Sequence, residues 1–520
     1  MKPAATPWLA VIAATMLQLS ALQVTAAATS QGVDSMVERG RALYFNKDNV
    51  LAEARPISNG APVPTTAAAC VSCHRRSGLG GVEGTLVVPP VAGGLLFNPL
   101  SPQTGQRLPW PSLDRTRPAY DVASLGRALR DGHAPDGVLL KAPMPRYTLS
   151  DPDVSALAAY LRTLSVDRAP GVSNEEVVLA TITTPDVPEA QVNDLLRTLN
   201  AYFADRNAGS RGEVRRRAQA LRNDDTMYRR FRRFRLVHWA LTGEPTTWKA
   251  QLDAHYGQTP AFAVLSGISY DIWQPVHEFC ERQGVPCLLP IAWMPPQTED
   301  FYSVYFAPGI DGQVRALAKQ LARNGVREVI AWTTESAAGD RQRGAIRTAL
   351  TDHGVRLADR AARPGDIVVS ALPRAESMKR GNETRPSPSR LYVLDRPDGD
   401  MPDRWNSSAS SALPQVTVVT DLAPTEIARR QLPRSRMWVS SKRITPSSER
   451  VAVNALLAAT IAVEMLMHVD DKFTRDYCIE KLEHNMENMP PMTAYPRLAI
   501  GPGQRFATRR YTFVTPGREE

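Results

Sequence analysis

Cys70-Val71-Ser72-Cys73-His74 decides how the first third of this chain reads. Two thiols three positions apart share one turn, and a histidine follows directly. That spacing lets each sulfur form a thioether to a haem vinyl group while the imidazole reaches the iron. A redox dithiol would need a flanking strand–helix–strand pattern, which is not there. A zinc half-site would need a second pair of ligands close by, and no such pair follows. Chance is the remaining alternative. The motif therefore predicts one covalently attached haem c on Cys70 and Cys73, with His74 as an axial ligand.

Outward from the motif, Lys141-Ala142-Pro143-Met144-Pro145-Arg146-Tyr147 is a loop bracketed by prolines. Leu149-Ser150-Asp151 then starts a helix, with Ala156, Leu157, Tyr160, Leu161 and Leu164 at helical spacing. Upstream, Val37 to Phe45 reads as a helix in which Gly40 permits close approach and Tyr44 packs. Together these segments resemble a class I cytochrome c over about residues 33–166. The resemblance implies an all-α domain in which Met144 is the second axial ligand and the last helix crosses the first. His133, in Asp131-Gly132-His133-Ala134, is the competing ligand and reads as a surface residue. With both axial positions filled, electron transfer is the expected activity and enzymatic turnover is not. A peroxidase would require Met144 to be displaced. Long Pro-rich stretches between Phe45 and Cys70 and from Pro89 to Pro118 depart from the short family members.

The whole chain is longer than one core supports. At 520 residues, two or three domains are the expectation. Hydrophobic content of 43% and charged content of 22% exclude a wholly disordered or fibrous chain. A net charge of 62 − 53 = +9 is too weak to indicate nucleic acid. Residues 1–28 read as a cleaved export signal: Lys2, an uncharged apolar run from Trp8 to Val24, then Ala26-Ala27-Ala28. An uncleaved membrane anchor is the alternative. Val451 to Val469 carries Asn454, Glu464 and His468 and reads as a buried helix, so no membrane span is expected after cleavage. The expected location is the periplasm.

Residues 167–173 read as a linker, and beyond them the pattern alternates. Val177–Thr183, Leu236–Thr242, Ala261–Leu265 and Val285–Ile291 are strand-like, with helices between them. The alternation resumes at Val314–Arg323, Val329–Thr333, Arg343–Thr351, Asp366–Ala371, Leu391–Leu394 and Val416–Thr420. Buried strands separated by helices imply parallel α/β sheets, and two such runs imply two lobes.

Three segments of this part resemble the type I periplasmic binding proteins of ABC importers, over about residues 174–515. They are Leu265-Ser266-Gly267-Ile268-Ser269, then Tyr305 to Ile310 with Gly325 to Val329, and finally Arg450 to His468 with Leu498 to Gly503. The resemblance implies a bilobal α/β domain with ligand loops at Ser266, Gly267 and Ser269 in one lobe. Thr333, Thr334 and Ser336 would serve the other. The same Ser and Thr residues also suit helix N-caps and turns. Cys280 and Cys287, across a helix-to-strand connection, form a disulfide candidate in an oxidising compartment, and Cys478 remains as a buried thiol.

Arg215-Arg216-Arg217 and the run Tyr228 to Arg235 make the densest basic stretch. It reads as a solvated helix face or a docking patch for an acidic redox partner. The expected whole is a periplasmic electron-transfer protein whose C-terminal domain meets a small ligand or a redox partner, such as a dehydrogenase or another cytochrome. The alternative is a ligand-binding or sensor component of an uptake system in which the haem regulates.

Overall fold

The computed structural model describes residues 33–100, 116–209, 232–298, 300–363, 365–384, 388–402, 404–405, 415–469, 472–488 and 492–515. The expected export signal, residues 1–28, and the basic residues 215–217 and 228–231 lie outside the described residues. The chain divides into two compact units, 1–167 and 168–520.

In the N-terminal unit, three helices carry the core. They cover 33–45, Val122–Arg130 and Asp151–Thr163. Each of the latter two begins at a capping residue. Asp121 accepts from the Ser124 N–H while the Ser124 hydroxyl accepts from the Asp121 N–H, closing a capping box. The Ser150 hydroxyl accepts from the Asp153 N–H, and Pro152 fits the first turn, where no amide donor is needed. Leu43, Tyr44, Leu125, Leu129, Leu157 and Leu161 meet in one apolar cluster.

The first and last helices cross at Gly40. A Cβ there would stand 1.9 Å from the Ala156 carbonyl oxygen, so only glycine lets the backbones approach this closely. One turn on, the Tyr44 and Tyr160 rings lie 5.3 Å apart. The expectation of an all-α unit needs correction. Ile57–Ser58 pairs with Ala61–Pro62, and Gly81–Glu83 with Leu86–Val88, in two small antiparallel ribbons. They fall in the Pro- and Gly-rich stretches, where helix is disfavoured and turns are easy.

The C-terminal unit contains two sheets. In the first, Glu176–Thr183 is central and fully sided: Arg233–Ala240 pairs along its whole length, and Ala263–Leu265 and Ile268–Ser269 pair with it elsewhere. Cys287–Leu288, Ile291–Ala292 and Ser303–Val304 extend the sheet, all parallel. The second sheet runs Arg356–Ala358, Glu328–Trp332, Ile367–Ser370, Arg390–Leu394, Gln415–Thr420 in parallel. Thr512–Val514 closes its edge antiparallel, bringing the end of the chain back onto the second lobe.

Two local readings change. The run Val285 to Ile291 is two short strands, because Leu289 adopts a positive φ between them. The end of the basic run opens a strand, not a helix: Arg233 and Arg235 face outward on either side of buried Phe234. Residues 168–173, within the expected linker, pack onto the C-terminal unit. The Arg232 side chain donates to the Ser173 carbonyl at 2.7 Å, and the Ala169 N–H to the Phe473 carbonyl at 2.9 Å.

Helix Glu449–Met467 is long and apolar enough to cross a membrane, and 83% of its most apolar stretch is buried inside this unit. It packs along helix Glu189–Gly209, as a core helix does.

Candidate functional site

Cys70–His74 forms one short helix in the N-terminal unit, with both cysteines half-buried and unbonded. Burial pushes the Cys70 thiol up to about 12, and Cys73 adds to the effect. The sulfur is therefore an uncharged group packed among apolar neighbours, the environment that suits a thioether. The helix stops at Arg75, which takes a positive φ; the Tyr44 hydroxyl fastens the Arg75 carbonyl at 2.6 Å.

His74 is buried, and its Nδ1 lies 2.9 Å from the Pro89 carbonyl. A carbonyl can only accept, so Nδ1 carries the proton and Nε2 keeps a free lone pair. Burial also pulls the His74 pKa below its ordinary value, against the opposing pull of that hydrogen bond. The imidazole is thus neutral, as ligation requires. Gly80 places this partner. Its N–H donates to the His74 carbonyl at 3.0 Å, its φ is +66°, and a Cβ would stand 2.2 Å from the Val88 oxygen. Only glycine lets the ribbon reach back to put Pro89 against His74.

The loop with Met144 closes on the same region. The Tyr147 hydroxyl donates to the Ala68 carbonyl at 2.6 Å, two residues before Cys70. Burial raises the Tyr147 phenol well above its ordinary value, and the nearby Cys70 and Cys73 raise it further. Arg146 exchanges backbone hydrogen bonds with Ile57 and ties its guanidinium to the Met144 and Leu140 carbonyls. Met144 is half-buried against the apolar cluster that also takes Cys70 and Val71. His133, the rival ligand, is exposed. Two free cysteine sulfurs on one turn, an imidazole with Nε2 unengaged and a thioether packed beside Cys70 fit a covalently held haem.

The candidate ligand loops of the C-terminal unit are more ordinary. Ser266 is buried with a positive φ, and its hydroxyl has no partner. Gly267 packs beneath Trp273, and the Ser269 hydroxyl donates to the Ile272 carbonyl at 3.1 Å. Ser336 caps helix Ala337–Thr351 by accepting from the Gly339 N–H, and it pairs with Thr334 at 2.9 Å. Thr333 is half-buried beside them. The capping alternative therefore holds for Ser336.

Sequence reasoning missed the residues that face one another between the lobes. Arg341 of the second lobe makes a two-pronged ion pair with Asp271 of the first, its Nε 2.8 Å from Oδ1. Arg396 lies over Trp293 and Tyr270 and pairs with Asp398. Each residue follows a strand closely or sits in the helix after one, and that position was the available signal.

The disulfide expectation is corrected. Cys280 and Cys287 are buried free thiols. Burial drives the Cys280 thiol well above its ordinary value, and Cys287 is near enough to raise it further, so the thiolate needed for exchange is suppressed. Cys478 is a buried thiol as expected.

The family model for cytochrome c matches residues 57–165. No curated protein sequence matches the chain. Among solved structures, an ABC transporter substrate-binding protein from Desulfitobacterium hafniense is similar at 14% identity and a TM-score of 0.43, covering 65% of this chain and 100% of its own. A fatty acid ABC transporter substrate-binding protein from Thermomonospora curvata is similar at 13% identity and 0.46, covering 68% and 91%. A leucine-binding protein from Thermotoga maritima is similar at 12% and 0.42, covering 66% and 99%. The matched family and the Cys70–His74 geometry agree: within this chain, residues 57–165 belong to a cytochrome c domain.

Proposed function

We propose that the chain is an exported c-type cytochrome that carries single electrons through one haem. Cys70 and Cys73 would hold the haem covalently, and His74 and Met144 would ligate its iron. A haem held in this way supplies one-electron oxidation and reduction at its iron. The protein's own part is to fix the imidazole through Pro89, keep the sulfurs in an apolar setting and close the Met144 loop with Tyr147 and Arg146. With His74 and Met144 both on the iron, no position would be left there for a substrate, which favours electron transfer over bond-making chemistry. The C-terminal unit recognises a redox partner or a small ligand, and the periplasm is the working compartment. The hydrogen bond from His74 Nδ1 to the Pro89 carbonyl carries this reading, because it leaves Nε2 as the only free imidazole nitrogen.

The test is expression of the full chain alongside a cytochrome c maturation system. The purified protein is expected to be red, with one haem per chain that survives denaturation. The double substitution Cys70→Ala, Cys73→Ala is expected to abolish attachment. Colourless wild-type protein would overturn the reading.

A further inference from the structure

Where the two lobes of the C-terminal unit meet, a cavity of about 20 Å³ is lined by Ile291, Trp293, Gln313, Asp395, Asp421 and Arg450, among others. Three of these residues hold a buried polar atom that no protein group satisfies: Trp293 Nε1, Gln313 Oε1 and Arg450 Nε. They arrive from separate elements. Trp293 follows strand Ile291–Ala292, Gln313 belongs to helix Gly309–Arg323, and Arg450 opens helix Glu449–Met467. Each is at most 2% exposed, so bulk solvent does not serve them.

Other atoms of Arg450 and Gln313 are engaged within the protein. Arg450 donates to Asp395 at 2.7 Å, to the Arg396 carbonyl at 2.9 Å and to Asp421 at 3.3 Å. The Gln313 amide donates to the Asp395 carbonyl at 2.8 Å. What the cavity lacks is therefore a partner that accepts from an indole N–H and a guanidinium N–H and donates to an amide oxygen.

We infer that this cavity is a binding site for ordered water that bridges Trp293, Gln313 and Arg450 across the junction of the lobes. Size, charge and donor pattern each narrow the choice. A water needs roughly 10–15 Å³ of such volume, so the cavity holds one or at most two and excludes any metabolite. Two carboxylates stand against one guanidinium, which disfavours an anion. The two N–H groups disfavour a bare cation. Water both accepts and donates, so it matches the donors Trp293 Nε1 and Arg450 Nε and the acceptor Gln313 Oε1 alike.

The test is a high-resolution crystal structure of the full chain, paired with water-oxygen-17 magnetic relaxation dispersion in solution. The expected result is a density peak within hydrogen-bond reach of the three atoms, and a long-lived water signal that falls by one or two waters in Trp293→Phe. Gln313→Met is expected to give the same loss, and it serves should the first variant not fold. An empty cavity, an ion at the peak, direct bonding among the three side chains, or an unchanged signal in the variants would overturn the inference.

Discussion

The Arg396 guanidinium of one lobe of the C-terminal unit lies 4.6 Å from the centre of the Trp293 ring of the other. It also lies 5.9 Å from the Tyr270 ring, and Asp398 holds it at 2.9 Å. With the Arg341–Asp271 pair, these contacts close the cleft using only the chain's own charges and rings. Replacing Arg341 and Arg396 together by Ala is expected to open the lobes, seen as a larger radius of gyration in small-angle scattering. Arg341 is 40% exposed, so its pair adds only about 0–1 kcal/mol to stability. An unchanged radius in the double variant would show that other contacts hold the lobes.

Gly40→Ala is expected to destabilise the N-terminal unit by about 1–3 kcal/mol. The upper end is expected, because the obstacle is the Ala156 backbone oxygen rather than a side chain that can move. Denaturant unfolding followed at the haem absorption band checks this.

Met144→Ala is expected to leave the haem attached and convert it from low-spin to high-spin, with carbon monoxide binding in the reduced state. His133→Ala, at an exposed position, is expected to leave the spectrum unchanged. The reverse pattern would assign the sixth position to His133.

Burial raises Asp421 from 3.8 to about 6, against the attraction of Arg450. A carboxylate raised in the folded state binds its proton more tightly there than in the unfolded chain. Stability of the C-terminal unit therefore falls as pH rises from about 4 to about 6, by up to about 3 kcal/mol for two pKa units. Asp395 is shifted the same way by burial and adds to the slope. Asp421→Asn is expected to flatten this stretch of a stability-against-pH profile measured by denaturant unfolding.

The sequence showed the haem turn because that chemistry needs its residues side by side: Cys70, Cys73 and His74 lie within five positions. The Met144 loop was legible from its prolines and the helix that follows. Parallel strands such as Glu176–Thr183 were visible as apolar runs. The site between the lobes was not, because Asp271, Trp293 and Arg396 come from three separate connections and Arg341 from helix Ala337–Thr351, and they meet only on folding. Helix Thr425–Ser441 was hidden by Pro433 in its interior, and strand Thr512–Val514 by its brevity. The thiol state of Cys280 and Cys287 depends on burial, which spacing does not report.

Helix Glu449–Met467 has a consequence for synthesis as well as for folding. On the export route proposed above, it enters the translocation channel before helix Glu189–Gly209 can cover it. A stretch of that length and apolarity invites the channel to release it sideways into lipid. Arg450 and Glu464 cut its uncharged run to residues 451–463, well short of the ~20 residues that span a bilayer. The same guanidinium that is costly to bury in the finished protein thus helps the nascent chain pass through instead of stopping in the membrane.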